Sequence, residues 1–305
     1  MSNDWITLVN TGIVPIGLIA IMFSMGLALT PGDFREVARN PRAVLGGLFG
    51  QLVMMPPLAL GVAWLFRLPA EMATGLFILS ICPGGITSNA ITYAARANVA
   101  LAVVLTTVSS LITVFSIPVL LNWALGWFDL QGQVPPLSVP KTMLQLAQLT
   151  IAPVGLGMLI RAFLPNAAAR MTVWLRPASI VVLVAVIAFS AWVSARLVLD
   201  NLLHAGPASF VLNALGMGIG IVIARLLRLN RPDTLTVAIE VGIHNATMAT
   251  FLTLSILKDI SLAITPTIYG AIMVINAGLL VQIFRARAAR QAARMPTKGE
   301  AEAAS

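Results

Sequence analysis

Glu240, His244 and Asn245 stand inside an otherwise apolar stretch, LTVAIEVGIHNATMATFLTLSIL. Such a stretch reads as a membrane-spanning helix, and an ionised carboxylate at the centre of one costs roughly 2.5–3.5 kcal/mol on insertion scales. A carboxylate kept at that cost reads either as an ion or proton site or as a structural Glu that is paired with an Arg or kept protonated.

A second stretch, ICPGGITSNAITYAARANVALAV, carries similar chemistry. Pro83-Gly84-Gly85 removes a backbone donor and loosens the chain, which predicts an interrupted helix. Gly85-Ile86-Thr87-Ser88-Asn89-Ala90 follows that break, and Gly242-Ile243-His244-Asn245-Ala246 is its counterpart in the later stretch. Paired interrupted helices at matching places in two halves are a pointer to a transporter's midplane site. Unwound backbone there is tolerated only where it is buried in protein or lines a cavity.

The elements that must hold these residues are membrane helices. The chain has 305 residues, 58% hydrophobic and 10% charged, and a soluble domain of that length cannot hide so much apolar surface. Windows of about 20 apolar residues predict nine spans, near 9–30, 43–66, 71–95, 99–125, 142–163, 173–195, 207–228, 234–257 and 262–284. Turn residues support the gaps, among them Asn40-Pro41, Leu68-Pro69, Pro135-Pro136, Leu164-Pro165 and Arg231-Pro232. The N-terminus has no basic region before its first apolar run and does not read as a cleaved signal peptide.

The fold class is therefore an all-α polytopic membrane protein, with about nine transmembrane helices in two repeats. The first repeat covers 1–127 with four spans, 128–140 is an outer connecting loop, 141–286 is a second repeat of five spans, and 287–305 is a cytoplasmic polar tail. An odd-numbered ancestral unit would make the repeats inverted, with the first lacking its leading helix. Arg35, Arg39, Arg42, Arg96, Arg161, Arg225, Arg228 and the tail fall on one side; Arg67, Lys141, Arg196 and Lys258 fall on the other. The positive-inside rule then puts the N-terminus outside and the C-terminus in the cytoplasm.

The two motifs, with MFSMGLALTPGDF and GQLVMMPPLAL, closely resemble the bile acid:sodium symporter family along nearly the whole chain. The resemblance implies a panel domain and a core domain, the latter containing two crossed discontinuous helices. It implies sodium-coupled symport of an organic anion by alternating access, in a bacterial inner membrane, with no enzymatic activity and no cofactor beyond Na+ as coupling ion. It maps one sodium site onto Ser88, Asn89, Thr106 and Glu240, and a second onto Gln51, Glu240, the backbone of Val241 and Ile243, and His244. Oxygen ligands of this kind suit a hard cation, and Glu240 supplies the one full negative charge.

Two positions depart from the family's pattern. Ala102 stands where a serine hydroxyl is frequent, and His244 where glutamine is usual. Because histidine titrates near neutral pH, one reading lets a proton modulate or partly replace a sodium ion; the other makes His244 a hydrogen-bonding strut within the crossover. For the substrate, the resemblance points to Asn245, Asn276, Thr87, Ile86 and Ile275 beside the crossover. The apolar Ile86 and Ile275 favour a monoanionic, partly apolar acid, bile-acid-like or a small keto acid.

Other residues read as structural. His204 falls in an outer loop, Cys82 packs as a small apolar side chain, and Gly46, Gly50, Gly216 and Gly220 have helix-packing spacing. The net charge of +8 is scattered between apolar segments, which does not point to nucleic acid; no obligatory protein partner is evident. No H-E-x-x-H, G-x-S-x-G or phosphate-loop motif occurs. A proton-coupled carrier on the same fold, and a channel or sensor, remain the rival classes.

Overall fold

Apolar runs interrupted by Pro, Gly and capping Asn residues dictate a set of helices joined by short turns. The computed structural model describes residues 12, 14–30, 32, 41–193 and 195–292. Among them the elements are α1 (Val14–Ala28), α2 (Pro41–Leu65), α3 (Ala70–Ser80), α4 (Ile86–Ala94), α5 (Val99–Trp127) and α6 (Val139–Phe163). They continue with α7 (Pro165–Val193), α8 (Ala195–Leu226), α9 (Arg231–Gly242), α10 (Ala246–Thr250, extended by a widened turn Phe251–Ile256) and α11 (Ile264–Ala292). Among the described residues the only β pairing is an isolated bridge between Gln131 and Val134. The described residues are otherwise helices and turns, and among them six segments, counting α9 and α10 as one, are long and apolar enough to cross a membrane. α1 and α3 are shorter apolar helices.

Capping chemistry sets several ends. Asn98 caps α5 by accepting the Leu101 amide at 3.1 Å, and Asn230 caps α9 by accepting the Asp233 amide at 2.8 Å. The same Asn98 reaches across to the start of α9, donating to Asp233 at 2.8 Å and pairing its backbone with the Thr236 hydroxyl. Pro135-Pro136 lies in the non-helical connection before α6, as expected. The end of the MFSMGLALTPGDF stretch, together with Arg35, Arg39 and the N-terminus, falls partly or wholly outside the described residues.

One expectation is corrected. His204 lies within α8, exposed, and not in a loop. The sequence Ala195–Leu203 holds four leucines, strong helix formers, so the helix runs through the polar segment and past Pro207.

Packing divides the helices by neighbour. α1 packs chiefly on α6 and α7, whereas α8 packs along α9 and α11. α1 and α6 meet backbone to backbone: a Cβ at Gly157 would stand 2.6 Å from the Phe23 carbonyl oxygen, and one at Gly26 would strike the Val154 carbonyl. Gly46, Gly50, Gly216 and Gly220 likewise face neighbouring helices of the same chain. The segment through α9 and α10 is central, its most apolar window being 100% buried inside the protein.

Candidate functional site

Both predicted breaks are present, and they touch. Helix α3 ends at Ser80, Pro83-Gly84-Gly85 runs non-helical, and Gly85 enters α4 from extended backbone (φ −133°, ψ 175°). Helix α9 ends at Gly242, Ile243 is extended (φ −103°, ψ 118°), and Asn245 starts α10 by accepting the Met248 amide at 2.9 Å. The Asn245 amide donates to the Pro83 carbonyl at 2.8 Å, and His244 Nδ1 lies 2.9 Å from the Cys82 carbonyl. A carbonyl only accepts, so Nδ1 carries the proton in this contact. Because the Asn245 amide is committed to Pro83, the Val241 carbonyl loses its usual helical donor.

Glu240 sits half a turn before the second break and is 1% exposed. Thr106, on α5, donates its hydroxyl to Glu240 Oε2 at 2.9 Å, and Ser88 lies beside the same carboxylate while donating to the Gly85 carbonyl at 2.7 Å. Gln51 donates its amide to the Glu240 backbone carbonyl at 3.1 Å. It is carried by the widened turn Phe49–Met54 of α2, the kind of single-turn irregularity that accompanies functional sites. Gly84 completes the cradle: a Cβ there would stand 2.7 Å from Glu240 Oε2, 3.2 Å from Thr106 Oγ1 and 3.3 Å from Gln51 Nε2.

The donor set is oxygen. Gln51 Oε1, Asn89 Oδ1 and Glu240 Oε1 are all buried without a hydrogen-bond partner among the described residues, a state that native structures avoid unless another group meets the atom. Among the described residues no Lys or Arg forms an ion pair with Glu240, and no three His, Cys, Asp or Glu side chains cluster. Carboxylate, amide and hydroxyl oxygens in a dry setting fit a small hard cation such as Na+. Ala102, one turn before Thr106, is fully buried and contributes only a methyl group.

The expected substrate residues separate. Ile86 and Asn89 line a cavity of about 440 Å³ between α1, α4 and α5, together with Ser24 and Tyr93. Thr87 is half-buried on the same helix. Asn245 is buried where the two breaks meet, its Nδ2 without a partner among the described residues. Ile275 is 62% exposed, and Asn276 donates to the Phe210 carbonyl at 3.3 Å; neither lines that cavity. Gly84, in the cradle, and Ser24, in the cavity wall, are contributors that reading the sequence missed. Only Gly84 had a signal, its place in the Pro-Gly-Gly break.

Residues 15–201 match the model of the Sodium Bile acid symporter family. The chain is 34% identical over 238 residues to the uncharacterized sodium-dependent transporter YocS of Bacillus subtilis, an alignment covering 76% of this chain and 71% of that one. It is 35% identical over 166 residues to the probable sodium/metabolite cotransporter BASS2, chloroplastic, of Oryza sativa, covering 54% of this chain and 38% of the rice protein. To the human ileal sodium/bile acid cotransporter it is 26% identical over 250 residues, covering 80% of this chain and 69% of the human one.

Proposed function

The chain belongs to the sodium bile acid symporter family, and on that premise we propose that it is a secondary active transporter coupling Na+ entry to uptake of an organic anion. The observation that carries this reading is the Glu240 carboxylate: buried, met by the hydroxyls of Thr106 and Ser88 from two other helices, and paired with no cationic side chain among the described residues. A carboxylate in that setting is stable as an anion only when a cation joins it.

One ion would be held by Ser88, Asn89, Thr106 and Glu240, with no hydroxyl from Ala102. A second would take Gln51, Glu240 and the carbonyls of Val241 and Ile243. His244 serves there as a strut, a role supported by its bond to Cys82 across the crossing. Loading both sites neutralises Glu240 and braces the two breaks against each other, which is the differential interaction that an alternating-access carrier needs between its states.

The helices read as nine spans in two inverted repeats. A panel of α1, α6 and α7 is supported by their mutual packing, and the remaining helices form a core around the crossing. The 440 Å³ cavity lies where panel and core face each other, and it offers apolar walls with Ser24 and Asn89 as polar handles. That supports a monoanionic, partly apolar acid, held with help from Thr87, Ile86 and Asn245; Asn276 and Ile275 join only if the panel moves. The N-terminus lies outside and the tail in the cytoplasm of a bacterial inner membrane.

Uptake of labelled cholate and pyruvate into proteoliposomes tests the function. Saturable accumulation driven by an inward sodium gradient, lost in Glu240→Gln, supports it. Flux that never saturates would instead make the protein a channel.

A further inference from the structure

Three buried groups close a hydrogen-bonded triangle behind the second break. The Gly242 carbonyl accepts from Asn213 Nδ2 at 2.7 Å and from the Tyr269 hydroxyl at 2.7 Å, and Asn213 Nδ2 also donates to the Tyr269 oxygen at 3.1 Å. Asn213 comes from α8 and Tyr269 from α11, and both are completely buried. The Gly242 carbonyl accepts from both side chains, which takes its two lone pairs, and the Tyr269 hydroxyl spends its one hydrogen there; the longer Asn213–Tyr269 contact is a shared one that closes the triangle. Asn213 Oδ1 is left without a hydrogen-bond partner among the described residues, so the amide is oriented for the triangle at the expense of its own oxygen.

We propose that Asn213 and Tyr269 are positioning residues for the ion site, acting through the Gly242 carbonyl. This rests on the sodium reading above. Ile243 is in extended backbone, where consecutive carbonyls point to opposite sides. Pinning the Gly242 carbonyl toward α8 and α11 therefore turns the Ile243 carbonyl the other way, off the clamp. The pivot is tight: a Cβ at Gly242 would stand 3.2 Å from the Met217 amide nitrogen and 3.3 Å from the Asn213 carbonyl of α8. With both lone pairs taken, Gly242 itself is not a ligand; it is the fixed point from which its neighbours' carbonyls are aimed.

The test uses the purified full-length protein, titrated with sodium chloride and separately with lithium chloride at constant ionic strength in potassium, and reads the midpoint of the ion-induced rise in Tm. Tyr269→Phe removes one hydroxyl, and Asn213→Ala removes two of the three bonds. Both variants are expected to raise the sodium midpoint about three- to tenfold, the scale of one or two net hydrogen bonds, and to change the sodium-to-lithium preference. A variant that melts lower in potassium yet keeps the wild-type sodium midpoint and ion preference overturns the proposal, since the clamp is then only structural. If Asn213→Ala does not fold, Tyr269→Phe alone decides. Wild type with no sodium response overturns the sodium reading itself, an outcome visible before any variant is made.

Discussion

Thr106 Oγ1 donates to Glu240 Oε2 at 2.9 Å, joining α5 to the last turn of α9 at a point where both side chains are buried. A hydrogen bond to a charged group contributes about 1.5–3 kcal/mol. Thr106→Val, which keeps the shape, is therefore expected to raise the half-saturating sodium concentration by about tenfold or more. Thr106→Ser retains the hydroxyl and should stay within a few-fold of wild type. Sodium titration of Tm, or of uptake, measures both.

Gly84 is the floor of the same cradle. Gly84→Ala places a methyl group within 2.7 Å of Glu240 Oε2, and overpacking of this kind costs about 1–3 kcal/mol. The carboxylate must move to relieve it, so sodium stabilisation should fall sharply while the helical content seen by circular dichroism is preserved. Undiminished sodium stabilisation would show that the cradle is not the ion site.

His244 ties the second break to the first through the Cys82 carbonyl. Glutamine at this position can offer the same donor, so His244→Gln should retain sodium-dependent uptake and the wild-type pH profile. His244→Leu leaves a buried carbonyl unsatisfied, at about 1–3 kcal/mol, and should lower Tm and uptake together. A pH profile that changes in His244→Gln would bring back the proton-coupled reading.

Asn98 does structural work away from the ions, capping α5 and bonding Asp233 and Thr236 of α9. Asn98→Ala should destabilise the protein by about 0.5–2 kcal/mol, the range for a lost N-cap. Its half-saturating sodium should stay within about twofold of wild type, because the lost cap is at the start of α5, about two turns from Thr106, and leaves the Glu240 cradle intact. A parallel loss of sodium affinity would mean that the start of α9 controls the crossing.

The two breaks were legible because Pro83-Gly84-Gly85 cannot propagate a helix, and because Glu240, His244 and Asn245 are too polar for an ordinary span. Glu240, Thr106, Gln51 and Ser88 were named from the resemblance, and the fold brings them within reach of one another. The triangle behind Gly242 was not legible. Asn213 and Tyr269 are ordinary interior residues of long apolar helices, and their partner is a carbonyl 29 and 27 positions away, which no sequence pattern announces. The widened turn that carries Gln51 was hidden too, since the segment Phe49–Met54 has no residue that excludes an ordinary helix. His204 misled because a polar stretch between apolar runs reads as a loop, while its leucine-rich context favours helix. Ile275 and Asn276 show the converse limit: a position inherited from a resemblance says nothing of which way a side chain faces here.

The most direct measurement is the Tm of the purified protein in sodium against potassium at matched ionic strength, with Glu240→Gln alongside. An ion at a hundredfold excess over its dissociation constant stabilises the folded state by about 2.7 kcal/mol. A rise in Tm specific to sodium in the wild type, absent in Glu240→Gln, is the predicted result. Equal melting in the two salts, or a sodium response that survives Glu240→Gln, would contradict the assignment of Glu240 as the residue that binds the coupling ion.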